Sequence, residues 1–152
     1  MNRSASANRV ISASGQEAGH QAAQASAVTP YHLALALANA CDDKKACAIE
    51  ALYVEPTCHY ADYMIIVTSD NAVQMMAIAN HVKQQAEALG YGCLGGQLDR
   101  SGQWTLLDFG DVIVHVLNPT SRQYYGLDVL WQHGEVIPDA FWRQDNGTFS
   151  AA

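Results

Sequence analysis

The run Tyr63–Val67, YMIIV, is apolar at every position. A segment with no polar position has no solvent face. It is too short to cross a bilayer and reads as a β-strand covered on both sides, which calls for layers above and below a sheet. At 152 residues the chain can build one domain with a real core, but not two ordinary ones.

The neighbouring patterns supply those layers. Thr29-Pro30 reads as an N-cap with proline at the first helical position, opening a helix over Tyr31–Ala40 that can run on through Lys45. Ile49–Val54 is a short apolar strand closed by Glu55-Pro56. After YMIIV, Ser69-Asp70-Asn71 offers caps for a helix placing Met75, Ile78, Ala79, Val82, Ala86 and Leu89 on one face, with Gly90 as its stop. Gly95-Gly96 reads as a turn. Trp104–Asp108 and Val112–Leu117, joined by Phe109-Gly110-Asp111, read as a hairpin. Pro119–Tyr125 suits a short helix, which Leu127–Trp131 continues or restarts. The order α-β-β-α-(β)-β-β-α predicts an α/β fold, a mixed sheet flanked by helices.

The ends differ in kind. Residues 1–28 are rich in Ser, Ala, Gln and Asn, with Glu17 the one acid and Arg3 and Arg9 the cations. Such a stretch buries too little to offset chain entropy and is expected to be disordered. It faintly resembles an organelle transit peptide, although arginine is sparse. The domain is expected over 29–137, with a mixed tail over 138–152.

Charge limits the partners. The formal net charge is −7, and the 8 lysines and arginines gather nowhere more densely than Lys44-Lys45. Strong direct binding of nucleic acid needs clustered cations, so it is not expected. A basic protein would be attracted, although charge alone explains no more than solubility. No run is long enough for a membrane span, and the N-terminal stretch lacks a secretory apolar core. Cys41, Cys47, Cys58 and Cys93 show neither C-x-x-C nor finger-like spacing with histidine. Reduced thiols and a cytoplasmic location are expected.

Catalytic patterns are weak. Magnesium-assisted nucleotidyl transfer needs two acids on one strand face, two residues apart. Asp42-Asp43, Asp62 with Asp70, and Asp108 with Asp111 are the candidates, and none has that spacing. Asp108 and Asp111 flank a glycine turn, where aspartate bonds its own backbone. His115 inside VIVHVL reads as a satisfied core or interface residue, and Cys58-His59 points its side chains apart. No phosphate loop or nucleophile elbow is present, and no cofactor or metal is expected. The stretch Arg122, Tyr124, Tyr125, Leu127, Asp128, Leu130, Trp131 mixes a cation, aromatics and an acid, the residue types that carry protein interfaces. Composition does not choose between that role and a core helix with a solvated arginine.

Two segments carry a resemblance. Trp104-Thr-Leu-Leu-Asp108-Phe-Gly110-Asp111-Val-Ile-Val114-His115 and Arg122-Gln-Tyr-Tyr125-Gly-Leu127-Asp128-Val-Leu130-Trp131 are similar to the two long motifs of the ribosomal silencing factor family, also called RsfS or Iojap. Asp62-Tyr63-Met-Ile65, Ala77-Ile78-Ala79-Asn-His-Val82 and Lys44-Lys45-Ala46 with Ile49 and Leu52 extend the similarity over roughly residues 32 to 137. The chain departs at Gln97-Leu98, at Ser69-Asp70-Asn71 and at Asp128, where the family has glutamate. The resemblance implies a nucleotidyltransferase-like fold without catalytic acids. It further implies docking on ribosomal protein number fourteen of the large subunit, blocked subunit joining, and translation damped when nutrients are short. Alternatives are an organelle or bacterial large-subunit assembly factor and a degenerate nucleotidyltransferase. The expected partner-binding residues are Trp104, His115, Arg122, Tyr125, Leu127, Asp128, Leu130 and Trp131, and self-association as a homodimer stays open.

Overall fold

The computed structural model describes residues 28–56, 58, 60–130 and 133–143, apart from the side chains of Asp128 and Leu130. The first helix, α1, spans Pro30–Asp43; the Thr29 hydroxyl accepts the His32 N–H at 3.2 Å, and Pro30 sits at the first position. Strands β1 (Cys47–Tyr53) and β2 (Tyr63–Thr68) precede α2 (Ala72–Ala88), which Asn71 caps by accepting the Gln74 N–H at 2.8 Å. Then come β3 (Gly95–Gln97), β4 (Trp104–Asp108), β5 (Val112–Leu117), α3 (Pro119–Tyr125) and α4 (Leu127–Leu130). A last strand, β6 (Glu135–Ile137), and a one-turn helix, α5 (Asp139–Trp142), complete the order.

The six strands form one mixed sheet in the order β3-β4-β5-β2-β1-β6. β2 and β5 pair in parallel at its centre, and every other pairing is antiparallel. Central position explains the unbroken apolar runs: Met64, Ile65, Ile66 and Val67 are all buried, as is every residue of β5. Alternation then divides the core. Ile65, Val67, Val112, Val114 and Val116 face α1 and α2. Leu52, Met64, Ile66, Ile113 and Leu117 face the opposite side with Leu127, the segment around Cys58 and Ala61, and half-buried Trp104 and Leu106.

α1 is buried along Leu33–Cys41, between the sheet, α2 and α5. Its repeated alanines let neighbours approach closely. α2 buries Met75, Ile78, Ala79, Val82 and Ala86, the face its spacing predicts.

Two features depart from the sequence reading. Gly95-Gly96, expected as a turn, lies in β3 paired with β4. Gly96 has φ +128°, and a Cβ there would stand 2.1 Å from the Leu106 carbonyl oxygen, so the strand approaches its partner as only glycine can. β6 and α5 had no counterpart in the pattern. β6 takes its register from distant β1, with Ala51 opposite Ile137. α5 carries Trp142 into the core, and the Asn39 side-chain amide donates to the Trp142 carbonyl at 2.9 Å.

Candidate docking site

The second face of the sheet is covered unevenly. Leu127 of α4 closes it over Leu52, Met64 and Ile66. Towards β4 the cover thins, and an aromatic cluster takes its place. On adjacent strands, Trp104 and His115 stand diagonally: Leu106 is opposite His115, and Trp104 opposite Leu117. The Trp104 Nε1–H donates to His115 Nδ1 at 3.1 Å. Tyr125, at the end of α3, packs on Trp104 with ring centroids 4.7 Å apart, and Tyr124 meets Tyr125 edge to face at 5.0 Å. Tyr124 is 79% and Tyr125 54% exposed, whereas His115 is 6% exposed.

Burial alone holds the His115 imidazole well below its ordinary range, at about 4. It is neutral at physiological pH. Because Nδ1 accepts from Trp104, the ring proton resides on Nε2.

The turn before Trp104 is built on Asp99. Its carboxylate accepts N–H bonds from Ser101, Gln103 and Trp104 at 2.9, 3.2 and 3.1 Å and the Ser101 hydroxyl at 2.5 Å. Those bonds, the serine hydroxyl foremost, hold the Asp99 carboxyl below the usual carboxylate range. Trp104 is thus fixed by its backbone from one side and by its ring from the other. Gln97, Leu98, Asp99, Trp104 and Leu106 enclose a groove of about 380 Å³ beside it.

The predicted residues do not all meet here. Trp104, His115 and Tyr125 do. Leu127 is buried beneath them as core. Arg122 turns away: its guanidinium donates to the Ala48 carbonyl at 2.5 Å and the Thr68 hydroxyl at 3.0 Å, with Glu50 at 3.8 Å, and its side chain is 11% exposed. It ties α3 to a bulge in β1 where Ala48 has φ +49°. The Gln74 amide holds the turn that leads into β1, where Lys45 has φ +66°, donating to the Lys44 and Lys45 carbonyls at 3.1 and 2.9 Å. The Asp128 and Leu130 side chains and all of Trp131 lie outside the described residues. Tyr124, part of the interface-type stretch but not among the expected partner-binding residues, meets Tyr125 here; Leu98 was missed, being a single exposed apolar residue that sequence does not distinguish from ordinary surface, and its place beside Trp104 marks it.

The acids weighed for catalysis are placed as follows. Asp108 accepts the Gly110 N–H at 2.8 Å, the turn bond its position predicts. Asp62 lies beside Asp111 rather than Asp70, and its carboxyl is held above the usual range by burial first, then by Asp111 and Glu55. Among the described residues, no three His, Cys, Asp or Glu side chains gather as metal ligands would. The Cys41 thiol, buried and beside Asp42 and Asp43, is pushed up to about 12 and is inert as a nucleophile. No helix among the described residues is long and apolar enough to cross a membrane.

Comparison with known proteins places these features in context. Residues 26–151 match the family model described as ribosomal silencing factor during starvation. The ribosomal silencing factor RsfS of Bacillus subtilis is 40% identical over 94 residues, covering 62% of this chain and 80% of its own. The chloroplastic protein Iojap of Arabidopsis thaliana is 36% identical over 95 residues, 62% of this chain and 40% of its own. A crystal structure of a Chromobacterium violaceum protein superposes with a TM-score of 0.67 at 31% identity, covering 73% of this chain and 91% of that one. A second, from Bacillus halodurans, gives 0.59 at 32% identity, covering 71% and 95%.

Proposed function

Since this chain belongs to the ribosomal silencing factor family, we propose that it docks on the large ribosomal subunit through ribosomal protein number fourteen and blocks subunit joining by occupying that surface. The observation that carries the reading is the Trp104–Tyr125–Tyr124 cluster, exposed on the thinly covered half of the sheet and braced from beneath by His115. Rigid aromatics held by a satisfied second layer bury a large area at small entropic cost, as an interface anchor must. The two segments that resemble the family's motifs converge on this cluster, one from the hairpin and one from α3. Asp128 would add a carboxylate for a lysine or arginine of the partner.

The net charge of −7 supports a basic protein, not RNA, as the target. The role is read as binding and not catalysis; the bond that Asp108 accepts from its own turn agrees with this reading. Its action is placed in the cytoplasm, with the bacterial-type large subunit it would meet there.

Co-sedimentation with purified subunits tests the reading. The protein should pellet with large subunits and not with small ones, and lose large-subunit binding when ribosomal protein number fourteen is omitted. Equal pelleting with both subunits, or with neither, would overturn it.

A further inference from the structure

A second recess lies on the other face of the sheet, towards its opposite edge. Tyr63, Tyr53 and Glu135 are direct cross-strand neighbours on β2, β1 and β6, so their side chains stand in a row on one face. The Tyr53 and Tyr63 rings lie 5.2 Å apart, and Tyr31 from the first turn of α1 is 6.1 Å from Tyr63. Phe141, more than half exposed, borders a cavity of about 320 Å³ beside them. That is room for one long side chain.

The surroundings of this recess are acidic. Glu135 lines it, and Glu55 accepts the Tyr53 hydroxyl at 3.3 Å. Burial, then the carboxylates of Glu55, Asp62 and Glu135, hold the Tyr53 hydroxyl above its ordinary range; Tyr63 is raised likewise by burial, Tyr53 and Asp62. The ion pairs among the described residues use Asp42, Asp43, Glu50 and Asp139, and none uses Glu55, Asp62 or Glu135. The recess therefore joins aromatic ring faces to uncompensated negative charge.

We propose that the Tyr31–Tyr53–Tyr63 recess receives an arginine side chain from an extended basic segment of a partner protein. A planar guanidinium stacks on tyrosine rings while its N–H groups meet a carboxylate in bidentate fashion, which lysine does less well. An anion is repelled, and a neutral apolar group leaves the acids unanswered. A second copy would bring the same acidic recess and the same net charge of −7. The surface shares no residue with the Trp104 cluster, so it can bind whether or not that cluster docks.

Amide NMR of the full chain, titrated with acetyl-arginine amide, tests this without a ribosome. Acetyl-citrulline amide is the neutral control of equal shape. Saturable shifts centred on Tyr53, Tyr63 and Glu135 are expected, weakened by about threefold to thirtyfold for citrulline, the span of a single cation–π contact. Glu135→Gln, an exposed and conservative change, should weaken the arginine response without altering the melting temperature, and Tyr53→Leu should remove it. An absent arginine response overturns the proposal, as does an equal response to citrulline. Shifts at the same residues that follow protein concentration without ligand also overturn it, since a second copy would then be the occupant.

Discussion

The Trp104 indole N–H and the His115 Nδ1 meet at 3.1 Å across the β4–β5 pair, one ring partly buried and the other nearly sealed. The bond fixes the indole edge-on to a neutral imidazole, and protonation of His115 would replace its acceptor with a second donor. The folded-state pKa of about 4 lies below the ordinary 6.5. Between these values the unfolded chain binds a proton that the folded one refuses. Stability should be complete above pH 6.5 and fall towards pH 4, by about 1.4 kcal/mol per pH unit and about 3 kcal/mol in all. Urea midpoints over this range, wild type against His115→Gln, measure it. A His115→Gln protein with an unchanged pH profile would show that the drop comes from other groups.

Trp104→Ala should weaken large-subunit binding by about 2–4 kcal/mol, the cost of truncating an aromatic anchor. The fold should persist, because the ring is only half-buried. Circular dichroism alongside quantitative pelleting separates the two effects. Binding unchanged in a stable variant would move the docking face elsewhere.

Arg122→Ala should act on stability first. It leaves the Ala48 carbonyl and Thr68 hydroxyl without their charged donor and frees a bulge with positive φ. A loss of about 2–4 kcal/mol is expected from charge-assisted bonds of this burial. A stable Arg122→Ala variant that nevertheless fails to bind large subunits would assign the guanidinium to the partner.

Trp142→Ala should cost about 3–5 kcal/mol, as large core deletions do, since the ring is 1% exposed against α1. Asn39→Ala should cost about 1–2 kcal/mol through the lost bond to the Trp142 carbonyl. Thermal melts of both check the claim that α5 is core; near-wild-type melting of Trp142→Ala would refute it.

Asp108→Asn with Asp111→Asn should loosen the hairpin by roughly 1 kcal/mol through the weakened Gly110 bond. No reaction should be lost with it. Nucleotide turnover in the wild type that disappears in the double variant would establish an enzyme instead.

What the residues by themselves determined was local and periodic. The unbroken apolarity of YMIIV marked that strand as covered on both faces, because a segment with no polar position has no solvent face to offer, and the pairing with β5 then put it at the centre of the sheet. The helix face from Met75 to Ala86 and the Pro119–Tyr125 helix were legible for the same reason: their signals lie within a few residues of one another. The aromatic cluster proposed to dock was legible in part, as a list of aromatics around two motifs. Only the tertiary structure decided which of them share a surface. Arg122 and Tyr125 lie on one stripe of the helix by spacing, yet the Ala48 carbonyl in the β1 bulge and the Thr68 hydroxyl accept the long guanidinium inward while Tyr125 stacks outward on Trp104. β6 and α5 escaped for a related reason. Three strand residues and a single helical turn carry no period of their own, and their positions come from pairing with β1 and from the pocket that α1 leaves for Trp142.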